Sequence, residues 1–306
     1  MASIVANIST DISVNTTMDI EKIKNELSVK GFCIVPGVLT QDEVEKCLGW
    51  FRDWQKSIPD HDYQHGKLSP HGIYKFHQAG HQRHAWFIRT RKRVREVFEG
   101  LWDTKNLVVS FDGSCYIPKD LKKKDNIWTH TDQGPSKKGL QCIQGYVALT
   151  TNKERTFVCY KGTHHIHEKY FADCGMKKGG DWQLIEHSVL DAMQDYKRVN
   201  HVPAGSLVLW DSRVFHQNQY GKPGSEERIV QYVCYLPKNH PKNTMAMRTK
   251  RAKYFEECRT TSHWPCPIKV NGLQGRTFGN EKLRINYDAL LKPDLEDMMD
   301  DIKKLL

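Results

Sequence analysis

The sequence predicts a mainly β domain with flanking helices, an α+β fold, on three observations. Between residues 107 and 236, seven short runs rich in β-branched and aromatic residues follow one another, bounded by Gly, Pro, Asn and Asp. No helix-length pattern separates each pair of runs, which favours an antiparallel sandwich or barrel over a parallel α/β sheet. Helical periodicity is confined to the two ends. With 306 residues, 39% of them hydrophobic, the chain has material for one sizeable core and needs no disulfide or metal to hold it.

Taken in order, residues 1–17 are polar and aperiodic and are expected to be disordered. Ile20, Ile23 and Leu27 fall at helical spacing, Gly31 closes that helix, and Phe32–Val35 reads as a short strand. Pro36-Gly37 makes a turn. Thr40 and Glu43 then form a capping box for a helix whose apolar face is Val44, Leu48 and Phe51. Residues 58–86 are rich in His, Gly and Pro and show no period. A basic amphipathic helix is expected over 89–102, with Val94, Val97, Phe98 and Leu101 inward and Arg89, Arg91, Lys92, Arg93 and Arg95 on a solvated face. The strands are expected at 107–111, 126–131, 142–150, 156–160, 206–210, 214–217 and 229–236. A basic stretch at 247–258, a Pro/Trp-rich one at 263–267 with Trp264 as a packing anchor, and a helix over 287–306 complete the chain. This organisation implies one domain over 18–240, with its β core at about 105–237, and a helical extension over 241–306 packed on it.

Charge and cysteines bound the function classes. The 46 Lys and Arg exceed the 36 Asp and Glu by ten, which favours an anionic partner or substrate without identifying one. Nine scattered cysteines with no CxxC pair read as reduced thiols in an intracellular, cytoplasmic protein. No basic-then-apolar leader and no apolar run of about 18 residues is present, so neither a signal peptide nor a membrane span is expected. The last residues are Lys304-Leu305-Leu306, not the peroxisomal Ser-Lys-Leu.

The residues that carry chemistry begin with Trp128-Thr129-His130-Thr131-Asp132. His130 and Asp132 stand two apart on an expected strand, so both side chains project from one face and can reach one ion. Composition alone predicts such a triplet, so its weight comes from context. Downstream, a turn, a strand and a tight turn deliver His216 to a further strand, and Arg228 opens the next. Two His and one carboxylate with open positions form the ligand set of non-haem Fe(II) oxygenases, and an Arg on a neighbouring strand suits a bidentate grip on a keto acid's distant carboxylate.

This spacing resembles that of the phytanoyl-CoA dioxygenase family of Fe(II)/2-oxoglutarate oxygenases. Lys30-Gly-Phe-Cys-Ile-Val-Pro-Gly-Val-Leu resembles the family's opening, Gly145-Tyr-Val-Ala-Leu its strand after the motif, and Gly162-Thr-His its turn after the next strand. The likeness covers about residues 28–237. It implies a double-stranded β-helix (jelly-roll, cupin-like) core, Fe(II) held by His130, Asp132 and His216, and 2-oxoglutarate held through its C5 carboxylate by Arg228. It further implies that Asn218 and Tyr146 flank the cosubstrate. The implied reaction uses O2 to hydroxylate an aliphatic C–H of a small-molecule or acyl-type substrate, releasing succinate and CO2. The chain departs from the family at Thr150-Thr-Asn-Lys-Glu-Arg, which replaces the usual Asn-Gly turn.

Two other function classes stay open. The same iron site could serve a nucleic acid or other polyanion, with Lys122-Lys123-Lys124 and Lys137-Lys138 bracketing the His-x-Asp strand; no nucleic-acid motif accompanies them. A non-catalytic β-barrel binding protein is the third. A rival cluster, His71, His77, His81 and His84, reads as a solvated or substrate-facing loop, and His164, His165 and His167 as turn residues.

Overall fold

Strands buried on both faces alternate their side chains between two different cores, and this determines the layers of the molecule. The computed structural model describes residues 18–123 and 125–306; the expected disorder of residues 1–17 falls outside the described residues. The strands are β1 (Phe32–Val35), β2 (Leu107–Val109), β3 (Ser114–Ile117), β4 (His130–Thr131), β5 (Ile143–Ala148), β6 (Phe157–Tyr160), β7 (Gln183–Leu184), β8 (Lys197–Val199), β9 (Leu207–Asp211), β10 (His216–Asn218) and β11 (Arg228–Pro237). The larger sheet has the order β1-β9-β5-β11-β2, with β3 also paired to β11; the smaller has the order β7-β4-β10-β6-β8. Every pairing in both sheets is antiparallel.

The helices are α1 (Ile20–Lys30), α2 (Gln41–Ser57), α3 (His61–Leu68), α4 (Arg83–Thr90), α5 (Lys92–Trp102), α6 (His167–Asp173), α7 (His187–Ala192), α8 (Met245–Glu256) and α9 (Met299–Leu305). Val147, Leu207, Leu209, Ile229 and Val233 of the larger sheet join Phe51 and Trp54 of α2, Trp86 of α4, Phe98 of α5 and Ile302 of α9 in one cluster. Each of the large aromatics removed from water there contributes on the order of 2–3 kcal/mol. The alternate residues Tyr146, Val208, Trp210 and Val230 meet Phe157 and Cys159 of the smaller sheet. The sheets therefore face one another, with helices covering the outer face of the larger one.

Local signals at the N-terminal end act as expected. Asp19 accepts from the Lys22 N–H at the start of α1, Gly31 takes the left-handed conformation after it, and Thr40 and Glu43 close the capping box of α2. The basic helix expected over 89–102 is two helices broken at Arg91, and Arg89 is fully buried instead of solvated. Its guanidinium donates to the carbonyls of Gly80 (2.5 Å) and Asp112 (2.6 Å) and lies 3.6 Å from the Asp112 carboxylate. The helix expected over 287–306 is two short 3-10 turns and then α9; Pro293 lies between and cannot donate to a continuous helix. The nine cysteines are free, and among the described residues no helix is long and apolar enough to cross a membrane.

Candidate metal centre

The His-x-Asp motif lies at one edge of the space between the sheets. His130 on β4 is paired with His216 on β10, and their ring centroids stand 4.4 Å apart. Asp132, just past β4, is fixed by its N–H donating to the Ser212 carbonyl at 3.0 Å. Its carboxylate lies 3.7 Å from His130 Nε2 and 3.3 Å from His216 Nε2. One ligand atom from each of the three residues lies within 4.8 Å of the others, a geometry that can hold one metal ion.

Both imidazoles are oriented in the same way. The Nδ1 of His130 donates to the Trp128 carbonyl at 3.2 Å, and that of His216 to the Val214 carbonyl at 2.9 Å. Each ring thus uses Nδ1 on the backbone two residues earlier and presents Nε2 to Asp132, the arrangement that fixes tautomer and direction in metal-binding histidines. Gln144 donates to Asp132 Oδ2 at 3.0 Å. Gln217 accepts from Trp128 N–H and Thr129 Oγ1, which ties the approach to β4 onto β10. Burial pushes the Asp132 carboxyl up, but His263, His130 and His216 outweigh it and hold the group well below the usual carboxylate range. Burial and the neighbouring His216 keep His130 below its ordinary value, with Asp132 opposing them. The site is therefore built from a carboxylate and a neutral imidazole, the protonation states a divalent cation needs.

A cavity of about 560 Å³ opens beside these groups. His130, Asp132, His216 and Asn218 line it; Arg228 and Tyr146 lie outside its lining, wholly buried, with the Arg228 guanidinium 5.1 Å from the Tyr146 ring. Tyr232, which does line it, stands edge-on to Tyr146 at 6.1 Å and accepts from Asn218 Nδ2 at 2.9 Å. Among the described residues, Arg228 Nη1 meets only Cys115 Sγ, while its Nε and Nη2 and the Tyr146 hydroxyl have no partner.

Several sequence readings change here. His77, His81 and His84 are buried and are not a solvated loop: each donates from Nε2 to, or shares a proton with, a different partner (Gln64, the Arg259 carbonyl, Ser114). Burial pushes His77 down to about 4 and His81 and His84 down to about 3, so all three are neutral structural groups. His71 alone faces the cavity, stacked on Trp128 with ring centroids 3.6 Å apart. His164 and His165 lie in a 3-10 turn as read, and His167 opens α6. Lys122, Lys123, Lys137 and Lys138 do not line the cavity; Lys137 pairs with Asp181 at 2.6 Å and Lys138 with Glu168 at 3.1 Å. Trp264 is a buried anchor as expected, packed with Cys142 and Cys234. Among the cavity residues that sequence reading missed are Gln144, Trp182, Trp210, Ser262, His263 and Asn271. Of these, only Gln144 left a signal, as a polar residue inside an apolar strand run.

No family model matches the chain. It is 26% identical over 273 residues to "Ava biosynthesis cluster protein O" of Aspergillus versicolor, a match covering 79% of this chain and 85% of that protein. Among solved structures, the non-heme monooxygenase ThoJ in complex with nickel superposes with a TM-score of 0.50 at 13% identity, covering 92% of this chain and 93% of ThoJ. AviO1 from Streptomyces viridochromogenes Tue57 superposes with a TM-score of 0.50 at 13% identity, over 74% of this chain and 98% of AviO1. At these identities the likeness is one of fold.

Proposed function

We propose that the chain is an Fe(II)- and 2-oxoglutarate-dependent oxygenase of the phytanoyl-CoA dioxygenase type that hydroxylates an aliphatic C–H of a small molecule. The observation that carries this reading is the convergence of His130, Asp132 and His216 beside a cavity, with both histidines presenting Nε2. The strand order supports a double-stranded β-helix core: β3-β11-β5-β9 faces β4-β10-β6-β8, so the chain winds back and forth between two four-stranded sets. The relative from a biosynthesis cluster supports a small-molecule substrate.

The residues fit both missing groups. His130 Nε2, His216 Nε2 and the Asp132 carboxylate would hold Fe(II), a two-His, one-carboxylate set that leaves positions open. The unpartnered Nε and Nη2 of Arg228, with the free Tyr146 hydroxyl beside them, suit the far carboxylate of 2-oxoglutarate; Asn218, engaged with Tyr232, would flank it. When bound, iron and 2-oxoglutarate supply the oxidising chemistry: O2 is consumed, succinate and CO2 are released, and one oxygen is delivered to the substrate. The protein's part is to orient and to exclude water. Gln144 fixes the Asp132 carboxylate, the two backbone carbonyls fix the imidazoles, and Trp128, stacked on His130 at 4.8 Å, covers that ligand's face.

The test is conversion of 2-oxoglutarate to succinate by Fe(II)-loaded protein, together with Ni(II) titration of wild type and Asp132→Ala. Turnover by the wild type, and loss of Ni(II) binding in the variant, are expected. A wild-type protein that binds neither metal nor 2-oxoglutarate would overturn the proposal. The polyanion reading is not adopted, because Lys122, Lys123, Lys137 and Lys138, among the lysines that motivated it, are outside the cavity lining.

A further inference from the structure

We propose that Ser262 and His263 form a recognition pair for a hydroxyl or carbonyl oxygen on a neutral, planar aromatic substrate lying against Trp182. The inference rests on the cavity's being the substrate site and goes further by naming the substrate class and the residues that select it.

The walls indicate a flat ring system. Trp128, Trp182, Trp210, Phe157, Tyr74 and Tyr232 all face the cavity, whose volume suits a small ligand. Aromatic rings stack face to face or edge to face on such walls, whereas a flexible aliphatic chain gains no comparable geometry from them. Trp182 is the telling member. It stands 5.5 Å from the His130 ring yet is 51% exposed, a large apolar face beside the candidate metal centre.

The polar atoms indicate a neutral ligand. Most polar side chains on the lining are already engaged: Gln144 with Asp132, Asn218 with Tyr232, Asp112 with Ser110, and Thr261 with the Phe111 N–H. Four buried lining atoms have no partner among the described residues: His71 Nδ1, Trp210 Nε1, Ser262 Oγ and His263 Nε2. All four belong to uncharged hydrogen-bonding groups, and buried groups of this kind are seldom left unpaired without a ligand to pair them. Two of the four are consecutive in the chain. His263 is outside the three-residue metal group, although its ring bears on the Asp132 carboxyl. Among the described residues, the only cationic side chain on the lining besides the histidines is Lys75, which is exposed, so a strongly anionic head group finds no buried counter-charge from them there.

The pair is also held in place. Thr261 donates from its N–H to the Phe111 carbonyl at 2.8 Å and accepts from the Phe111 N–H at 2.9 Å, and Ser262 N–H donates to the Lys269 carbonyl at 2.8 Å. Trp264 packs on Cys142 and Cys234 from below, with Lys137 Nζ 4.0 Å from its ring centroid. Two neighbouring groups on so fixed a segment can define the position of an oxygen atom.

The experiment is calorimetric titration of metal-free protein with 2-naphthol, naphthalene-2-sulfonate and decanoate, repeated on Ser262→Ala, His263→Phe and Trp182→Ala. Near-UV circular dichroism confirms that each variant is folded. Saturable binding of 2-naphthol is expected, with both anions at least tenfold weaker. Loss of one hydrogen bond in Ser262→Ala or His263→Phe should weaken 2-naphthol about tenfold, with Ni(II) affinity unchanged in Ser262→Ala. Equal 2-naphthol affinity in wild type and in both polar variants, or preference for either anion, would overturn the inference. Because these titrations need no metal, they are read independently of whether the protein binds iron.

Discussion

Replacing Arg228 by Met is expected to make the ligand-free protein more stable while destroying its affinity for 2-oxoglutarate. Arg228 is wholly buried, its Nη1 meets only the weak acceptor Cys115 Sγ, and its other two guanidinium nitrogens are partnerless. Exchanging a buried, poorly paired charge for an apolar side chain of similar length is worth about 1–4 kcal/mol in favour of the folded state. At about 2–4 °C per kcal/mol, the midpoint of thermal unfolding should rise by several degrees. The cosubstrate carboxylate would lose two charge-assisted hydrogen bonds of about 1.5–3 kcal/mol each, weakening binding about a hundred- to ten-thousandfold. Scanning calorimetry with and without 2-oxoglutarate and Ni(II) reads both effects: the variant unfolds above wild type alone, and wild type gains more when both are added. A variant that melts several degrees lower without ligand and binds 2-oxoglutarate as wild type does would show that Arg228 is a structural residue and refute this reasoning.

Three further outcomes follow from the packing. Burial pushes His65 and His77 down to about 4, and His81 and His84 to about 3, from an ordinary value of 6.5. The unfolded chain therefore binds these four protons before the folded one, and stability falls as pH drops below 6.5, by about 1.4 kcal/mol per pH unit for each proton. Asp112, which burial pushes up to about 6 against the pull of Arg89, binds a proton in the folded state and offsets one of the four. Urea midpoints should thus drop steeply between pH 6 and pH 4; a flat profile there would contradict the assignment. In Gly80→Ala, the new Cβ would sit 2.0 Å from the Phe111 carbonyl oxygen, which is main chain and cannot yield cheaply, so a loss of about 3 kcal/mol or more is expected in equilibrium unfolding. Asp181 holds Lys137 at 2.6 Å and Lys269 at 3.1 Å. Asp181→Ala should cost only about 1 kcal/mol overall, yet it should speed tryptic cleavage after the exposed Lys177 and Lys178 severalfold; unchanged cleavage would show that the bridge does not restrain that loop.

The candidate metal residues were legible because their evidence is local. His130 and Asp132 share a strand face by period two, and His216 and Arg228 open recognisable strands. The apolar runs that became β5, β9 and β11 were legible for a related reason, since burial on both faces leaves them almost without polar interruption. β3, β7 and β8 were missed. β7 and β8 are three residues or fewer with half-exposed or exposed side chains, so no hydrophobic pattern marks them. Arg89 was misread because amphipathic spacing cannot show that Gly80 and Asp112 bring carbonyls to meet its guanidinium. Ser262, His263 and Trp182 sit on aperiodic segments and reach the cavity only through tertiary packing, which no window of sequence contains.

That placement brings part of one cavity wall from a separate stretch of the chain. The candidate ligands for the ion are confined to residues 130–216, on strands paired with each other, whereas Ser262, His263 and Asn271 enter the cavity from beyond β11. Substitutions in the later stretch can reshape one wall without touching the backbone carbonyls that aim His130 and His216. Variation there would alter that part of the wall while leaving the candidate metal ligands in place. Related chains that share the His-x-Asp strand but differ after residue 258 would then be expected to carry the same chemistry to different compounds.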